Sequence, residues 1–134
     1  MTVTDSTANR TDAIIAPVLP ATAVATSASL SHASFRPTGF WGRWQTVNGE
    51  AMIEHERSWM ERMGWVDNLR SAAQGTLPGT RRGREFTDSD VYKLVEAMSW
   101  ELGRNPGNAQ LRSQRDDLVE VIAAAQEPDG YINT

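Results

Sequence analysis

The stretch Thr87-Asp88-Ser89-Asp90-Val91-Tyr92-Lys93-Leu94-Val95-Glu96-Ala97-Met98-Ser99-Trp100-Glu101-Leu102-Gly103 decides the fold. Val91, Leu94, Val95, Met98 and Leu102 fall at i, i+3, i+4, i+7 and i+11, one face of an α-helix. Thr87 or Asp88 is placed to cap that helix. Asp88 and Asp90 put negative charge at the positive end of its dipole. Gly103 ends it, and Asn105-Pro106-Gly107 turns the chain. Downstream, a helix is predicted from about 108 to 126. Its stripe is Leu111, Leu118, Ile122 and Ala125, with Val119 and Val121 alongside. Pro128-Asp129-Gly130 turns the chain again.

Upstream, residues 75–84 hold three glycines, a proline and three arginines, the composition of an exposed loop. A further helix is predicted from about 48 to 63. Met52, Trp59 and Met63 recur at spacings of seven and four, with Ile53 and Met60 beside them in one broad apolar stripe. Gly64 stands where a C-terminal cap belongs. Trp65-Val66-Asp67-Asn68-Leu69 leads from it into a weak Ala-rich turn ending at Gly75. Before this, Phe35, Phe40, Trp41 and Trp44 are punctuated by Pro37, Gly39 and Gly42. Glycine and proline oppose a helix, so an extended arm docked on the core is predicted. An aromatic cluster of this kind also suits sugars or bases.

The first 34 residues differ. Nineteen are Ala, Ser or Thr, and only Asp5, Arg10 and Asp12 are charged. A mobile N-terminal segment is expected there, with at most a short edge strand at Val18, Leu19 and Val24. Residues 35–134 then form one partial all-α domain. Its helices run up, down and up with short connections. That topology puts Phe86-Thr87-Asp88-Ser89-Asp90 and Gln126-Glu127-Pro128-Asp129-Gly130-Tyr131 at the same end. Asp88, Asp90, Asp129 and Tyr131 are therefore the candidate rim residues of any ligand site. Asp88 and Asp90 equally serve as ordinary helix-start residues, and Asp129-Gly130 as an ordinary turn pair. Tyr92 reads as half-buried packing.

Composition narrows the chemistry. The 134 residues contain no cysteine and two histidines, His32 and His55, with a net charge of -4. A disulfide scaffold, a cysteine-ligated metal and a cysteine nucleophile are thus excluded within these residues. His55-Glu56-Arg57 lacks the second histidine that a zinc-binding helix needs, and His55 reads as a surface or stripe-edge residue. No metal or other cofactor is expected in this chain, and no catalytic residue is assigned. No apolar run reaches the roughly 20 residues of a membrane span. No secretion signal is read, so a cytoplasmic location without a membrane partner is expected. Arg81, Arg82 and Arg84 could contact phosphate, but the acidic balance argues against a nucleic-acid partner. The apolar pair Tyr131-Ile132 has nothing to cover, so a further helix is expected and the chain reads as the start of something larger.

Four motifs stand in series. They are Phe40-Trp41-Gly42, Gly64-Trp65-Val66-Asp67-Asn68-Leu69, Gly83-Arg84-Glu85-Phe86-Thr87-Asp88-Ser89-Asp90-Val91-Tyr92-Lys93, and Ile122-Ala123-Ala124-Ala125-Gln126-Glu127-Pro128-Asp129-Gly130-Tyr131-Ile132-Asn133-Thr134. In this order and spacing they resemble the N-terminal part of glycoside hydrolase family 127, the β-L-arabinofuranosidase-like proteins. Leu94 departs from the pattern, standing where tryptophan is common. The resemblance implies the opening helices of a six-hairpin α/α barrel, followed in the family by β-sandwich domains. It implies a retaining exo-hydrolase that releases L-arabinofuranose from plant-type glycans. Family members use a cysteine nucleophile held in a zinc site of cysteines and a glutamate, with another glutamate as acid/base. Those groups, and the substrate-binding histidines, lie downstream of the matched region. The chain alone is expected to be an inactive fragment of such an enzyme, with zinc belonging to the complete protein. The competing expectation is a stand-alone helical protein-interaction module. Oligomeric state is not legible.

Overall fold

The computed structural model describes residues 36–134. The expectations of a mobile segment over 1–34, and of a strand at Val18, Leu19 and Val24, fall outside the described residues. Among the described residues the fold is all-α. In order come α1 (Gly39–Val47), a π-helical turn (Asn48–Met52), α2 (Ile53–Arg62), α3 (Trp65–Ala73), α4 (Thr87–Arg104) and α5 (Ala109–Ala124). Because α1, the π turn and α2 follow one another without a gap, they make one rod over residues 39–62.

The core lies between α2, α3, α4 and α5. It consists of Ile53, Met60, Val66, Leu69, Val91, Leu94, Met98, Leu102, Leu111 and Leu118. The α4 stripe is buried as its spacing predicts, with Val95 half-buried at the edge. In α5, Leu111 and Leu118 are buried, Ile122 and Ala125 half-buried, and Val119 exposed. Asn108 caps α5, its side-chain oxygen accepting from the Leu111 N–H at 3.0 Å. Gly64 ends α2 in the left-handed conformation at φ 75, which glycine adopts without a Cβ clash. The segment after it is a full helix, α3, rather than a weak turn.

Four expectations are corrected. Residues 39–47 form a helix, not an extended arm. Pro37 precedes that helix, where its missing N–H costs nothing. Gly42 makes room for the chain to turn, since a Cβ there would lie 2.6 Å from the Pro37 carbonyl oxygen. Phe40, Trp41 and Trp44 do not dock on the core: α1 buries no residue, and Trp41 is 70% exposed. The apolar residues of α2 divide, with Ile53 and Met60 buried but Met52, Trp59 and Met63 exposed. Neither Thr87 nor Asp88 caps α4. Phe86 occupies the cap position with no side-chain cap bond, because the Asp88 carboxylate has another partner. After α5, residues 125–134 run as turns and irregular chain.

Candidate functional site

The start of α4 and the chain after α5 meet. Asp88, 1% exposed, accepts from the Thr134 N–H at 2.6 Å and from the Thr134 hydroxyl at 2.7 Å. The Arg81 Nε donates to the Thr134 carbonyl at 2.9 Å, while its two terminal nitrogens donate to the carbonyls of Gly83 and Arg84. Thr134 is thus gripped from both sides. The loop carrying Arg81 is itself anchored from α3. Asn68, 2% exposed, donates to the Arg82 carbonyl at 2.7 Å and accepts from the Arg82 N–H at 2.8 Å. The three sequence motifs that begin at Gly64, Gly83 and Ile122 are therefore physically joined through Asn68, Arg81 and Asp88.

The four candidate rim residues fare differently. Both Asp88 oxygens are taken up by Thr134, below the surface. The Asp90 carboxylate accepts from the Lys93 ammonium at 3.1 Å and lines a cleft between α2 and α4. Asp129 accepts from the Tyr131 N–H at 2.9 Å, which sets the turn. Tyr131 is 56% exposed. Among the described residues no hydrogen bond joins any two of these four side chains. Tyr92 lies half-buried, as read from the sequence. Burial, and then the negative charge of Asp88, push its hydroxyl up from the ordinary value, so it stays protonated. Trp65 Nε1, Thr87 Oγ1 and the Tyr92 hydroxyl are buried with no hydrogen-bond partner among the described residues.

A second feature is a polar cleft of about 370 Å³ between the rod, the end of α4 and the start of α5. The π turn forms one wall. There Gly49 approaches the Glu101 carboxylate so closely that a Cβ would lie 2.7 Å from it. Glu101 is 8% exposed, and its Oε2 accepts from Arg104 at 2.6 Å. Glu54 accepts from Arg57, Ser58 and, across the cleft, Gln114. The Arg57 guanidinium holds its carboxyl at about 2, well below the usual range. Sequence reasoning missed Asn68 and Glu101, and read Arg81 only as a phosphate contact when it donates to backbone carbonyls. Asn68 was legible only as part of a motif. Glu101 and Arg104 do carry a signal, an oppositely charged i,i+3 pair at a helix end.

A zinc site of the kind the family resemblance implies does not fit these residues. The chain has no cysteine, and no three His, Asp or Glu side chains group to hold a metal among the described residues. Likewise, no described helix is long and apolar enough to cross a membrane. His55 is exposed on α2 with its ring edge-on to Trp59.

The family model for the β-L-arabinofuranosidase GH127 catalytic domain matches residues 36–134. This chain belongs to glycoside hydrolase family 127. The GH127 match covers all the described residues, including the Asn68, Arg81 and Asp88 junction. A non-reducing end β-L-arabinofuranosidase from Bifidobacterium longum subsp. longum is 42% identical over 69 residues. Those residues are 52% of this chain and 10% of that protein, so the GH127 chain spans about a tenth of its relative's length. No solved structure matches the chain.

Proposed function

We propose that residues 36–134 are scaffold of a GH127 catalytic domain whose complete form releases L-arabinofuranose from the non-reducing ends of plant-type glycans. The observation that carries this is the family match across every described residue. It favours the hydrolase reading over a stand-alone interaction module. In this reading the helices belong to the opening part of an α/α barrel. The junction of Asn68, Arg81 and Asp88 sets the height of the loop after α5. Asp90, Asp129 and Tyr131 stand at the rim, where carboxylate and phenol oxygens suit a ligand rich in hydroxyl groups. Asp88 acts beneath them, through Thr134. Bond cleavage falls to groups outside these residues. The family's nucleophile is a cysteine and this chain has none, so no catalytic step and no zinc-dependent step is assigned to it.

The test has two arms. The purified 134-residue chain is expected to show no release from a chromogenic β-L-arabinofuranoside. Turnover that a substitution within residues 36–134 abolishes would defeat the scaffold role. A chimera carrying this chain's residues in place of the matched stretch of the Bifidobacterium longum relative is expected to hydrolyse the same substrate. A folded chimera without turnover counts against the family role.

A further inference from the structure

The cleft between the rod, the end of α4 and the start of α5 holds a carboxylate that is only half used. Glu101 is 8% exposed. Both hydrogen bonds to it, from the Arg104 Nε at 3.0 Å and Nη2 at 2.6 Å, fall on Oε2. Oε1 accepts none among the described residues, and it borders the cleft under the π turn. A buried carboxylate oxygen without a donor is costly, so this one calls for a donor from outside the fold. Gly49 leaves it the space, since a Cβ there would lie 2.7 Å from Oε1. Around it, the side chains of Glu50, Asn105 and Gln110 line the same cleft, and no hydrogen bond among the described residues engages them. Asn108 caps α5 through its oxygen, which leaves its amide nitrogen to the cleft. Ile53 and Leu111, from the core, give the cleft an apolar patch.

We propose that this cleft binds a neutral mono- or disaccharide, with a sugar hydroxyl donating to Glu101 Oε1 and the amides of Asn105, Asn108 and Gln110 meeting the others. A sugar hydroxyl donates and accepts at once. That matches walls holding a free carboxylate oxygen, amide oxygens and amide N–H groups. The C–H face of the ring matches Ile53 and Leu111. Anions are disfavoured, because Glu50, Glu54 and Glu101 outnumber Arg104 on the walls. A bare cation is disfavoured too. Glu54 and Glu101 are already paired, with Arg57 and Arg104, and no three His, Asp or Glu side chains group for a metal among the described residues. The volume of about 370 Å³ is that of a small-ligand pocket. Along α4, Glu101 stands about 20 Å from Asp88. The cleft is therefore at the far end of that helix from the rim, and it holds a sugar without cleaving it. The chemistry of the cleft selects the saccharide class, and the hydrolase reading selects arabinofuranosyl sugars within it.

NMR titration of the intact, isotope-labelled 134-residue chain with L-arabinose and with an arabinofuranosyl disaccharide tests it. Saturable shifts are expected at the Gly49 amide and at the side-chain amides of Asn105, Asn108 and Gln110. No aromatic ring lines the cleft, so the Kd should be on the order of 1 mM. Glu101→Gln removes a charged acceptor and should weaken binding about tenfold. Gln110→Ala should weaken it about threefold. Gln110 is exposed and unbonded on α5, so this second variant keeps the fold even if the loss of the Glu101 charge does not. Circular dichroism checks both. The absence of saturable shifts with either sugar overturns the proposal, as do shifts confined to residues 126–134 at the rim. Binding that neither variant weakens overturns it too. Tighter binding of spermidine than of either sugar at the same amides overturns the neutral class. Turnover is no part of this test, so the cleft and the hydrolase reading fail separately.

Discussion

Asp88 is a carboxylate placed where water cannot reach it. Burying such a group costs several kcal/mol unless its oxygens are paired, and Thr134 pairs both. The arrangement is reciprocal, since Thr134 is held in place by the same bonds. Asp88→Ala removes both acceptors at once. The Thr134 donors then regain water as the chain end frays, so the expected loss is about 1–3 kcal/mol. It should appear as a lower melting temperature together with faster amide exchange over residues 130–134. Unchanged exchange there would show that Arg81 alone holds the segment. Asp88 also marks a limit of sequence reading. Its identity and position predict a helix cap, a role set by neighbours three residues away. Its actual partner lies 46 residues downstream, and no local pattern encodes that distance. Asn68 escapes notice for the same reason, its partner being 14 residues away in a loop.

At the scale of elements, α4 and α5 were legible because burial on one side stamps a 3.6-residue period on the sequence. α1 was not, although Phe40, Trp44 and Val47 carry that period too. Glycine and proline outweighed it, and only the structure shows that Pro37 sits outside the helix while Gly42 makes room for it. The π turn is illegible for a related reason. It leaves the composition unchanged and shifts the phase, so the α2 residues Ile53, Met60 and Trp59 read as one stripe when they serve two surfaces. The same rod carries a pH prediction. Glu54 has its folded value lowered to about 2 from an ordinary 4.5, chiefly by the Arg57 hydrogen bonds. A depressed carboxyl stabilises the fold fully above the unfolded value and loses that contribution as pH falls through the folded one. Stability should therefore be flat in this respect above about pH 5 and decline between about 4.5 and 2. Glu54 is 47% exposed on its side chain, so solvent screening holds the effect to about 1 kcal/mol or less. Melting curves for the native chain and Glu54→Gln should differ most above about pH 5, the difference shrinking through that window and vanishing below it.

At the scale of the molecule, one small core holds four helical rods. Leu69 and Val66 on α3 and Val91 and Met98 on α4 belong to that core, and all four are fully buried. α5 packs on both helices, and α2 packs on the same pair. Removing side-chain volume at this crossing should therefore loosen every rod at once. Leu69→Ala deletes buried methyl groups where the surroundings are fixed by several helices and cannot close the gap. The expected cost is about 2–5 kcal/mol. A domain of this size has about 5–15 kcal/mol in total, so the midpoint of urea unfolding should fall steeply. Its slope should stay constant if the native state remains compact. Val119→Ala, on the exposed side of α5, should change stability by less than about 0.5 kcal/mol. If instead the whole rod, α2 included, melted first in Leu69→Ala with α3 to α5 intact, it would be a separate cooperative unit, and the core would be three helices rather than four.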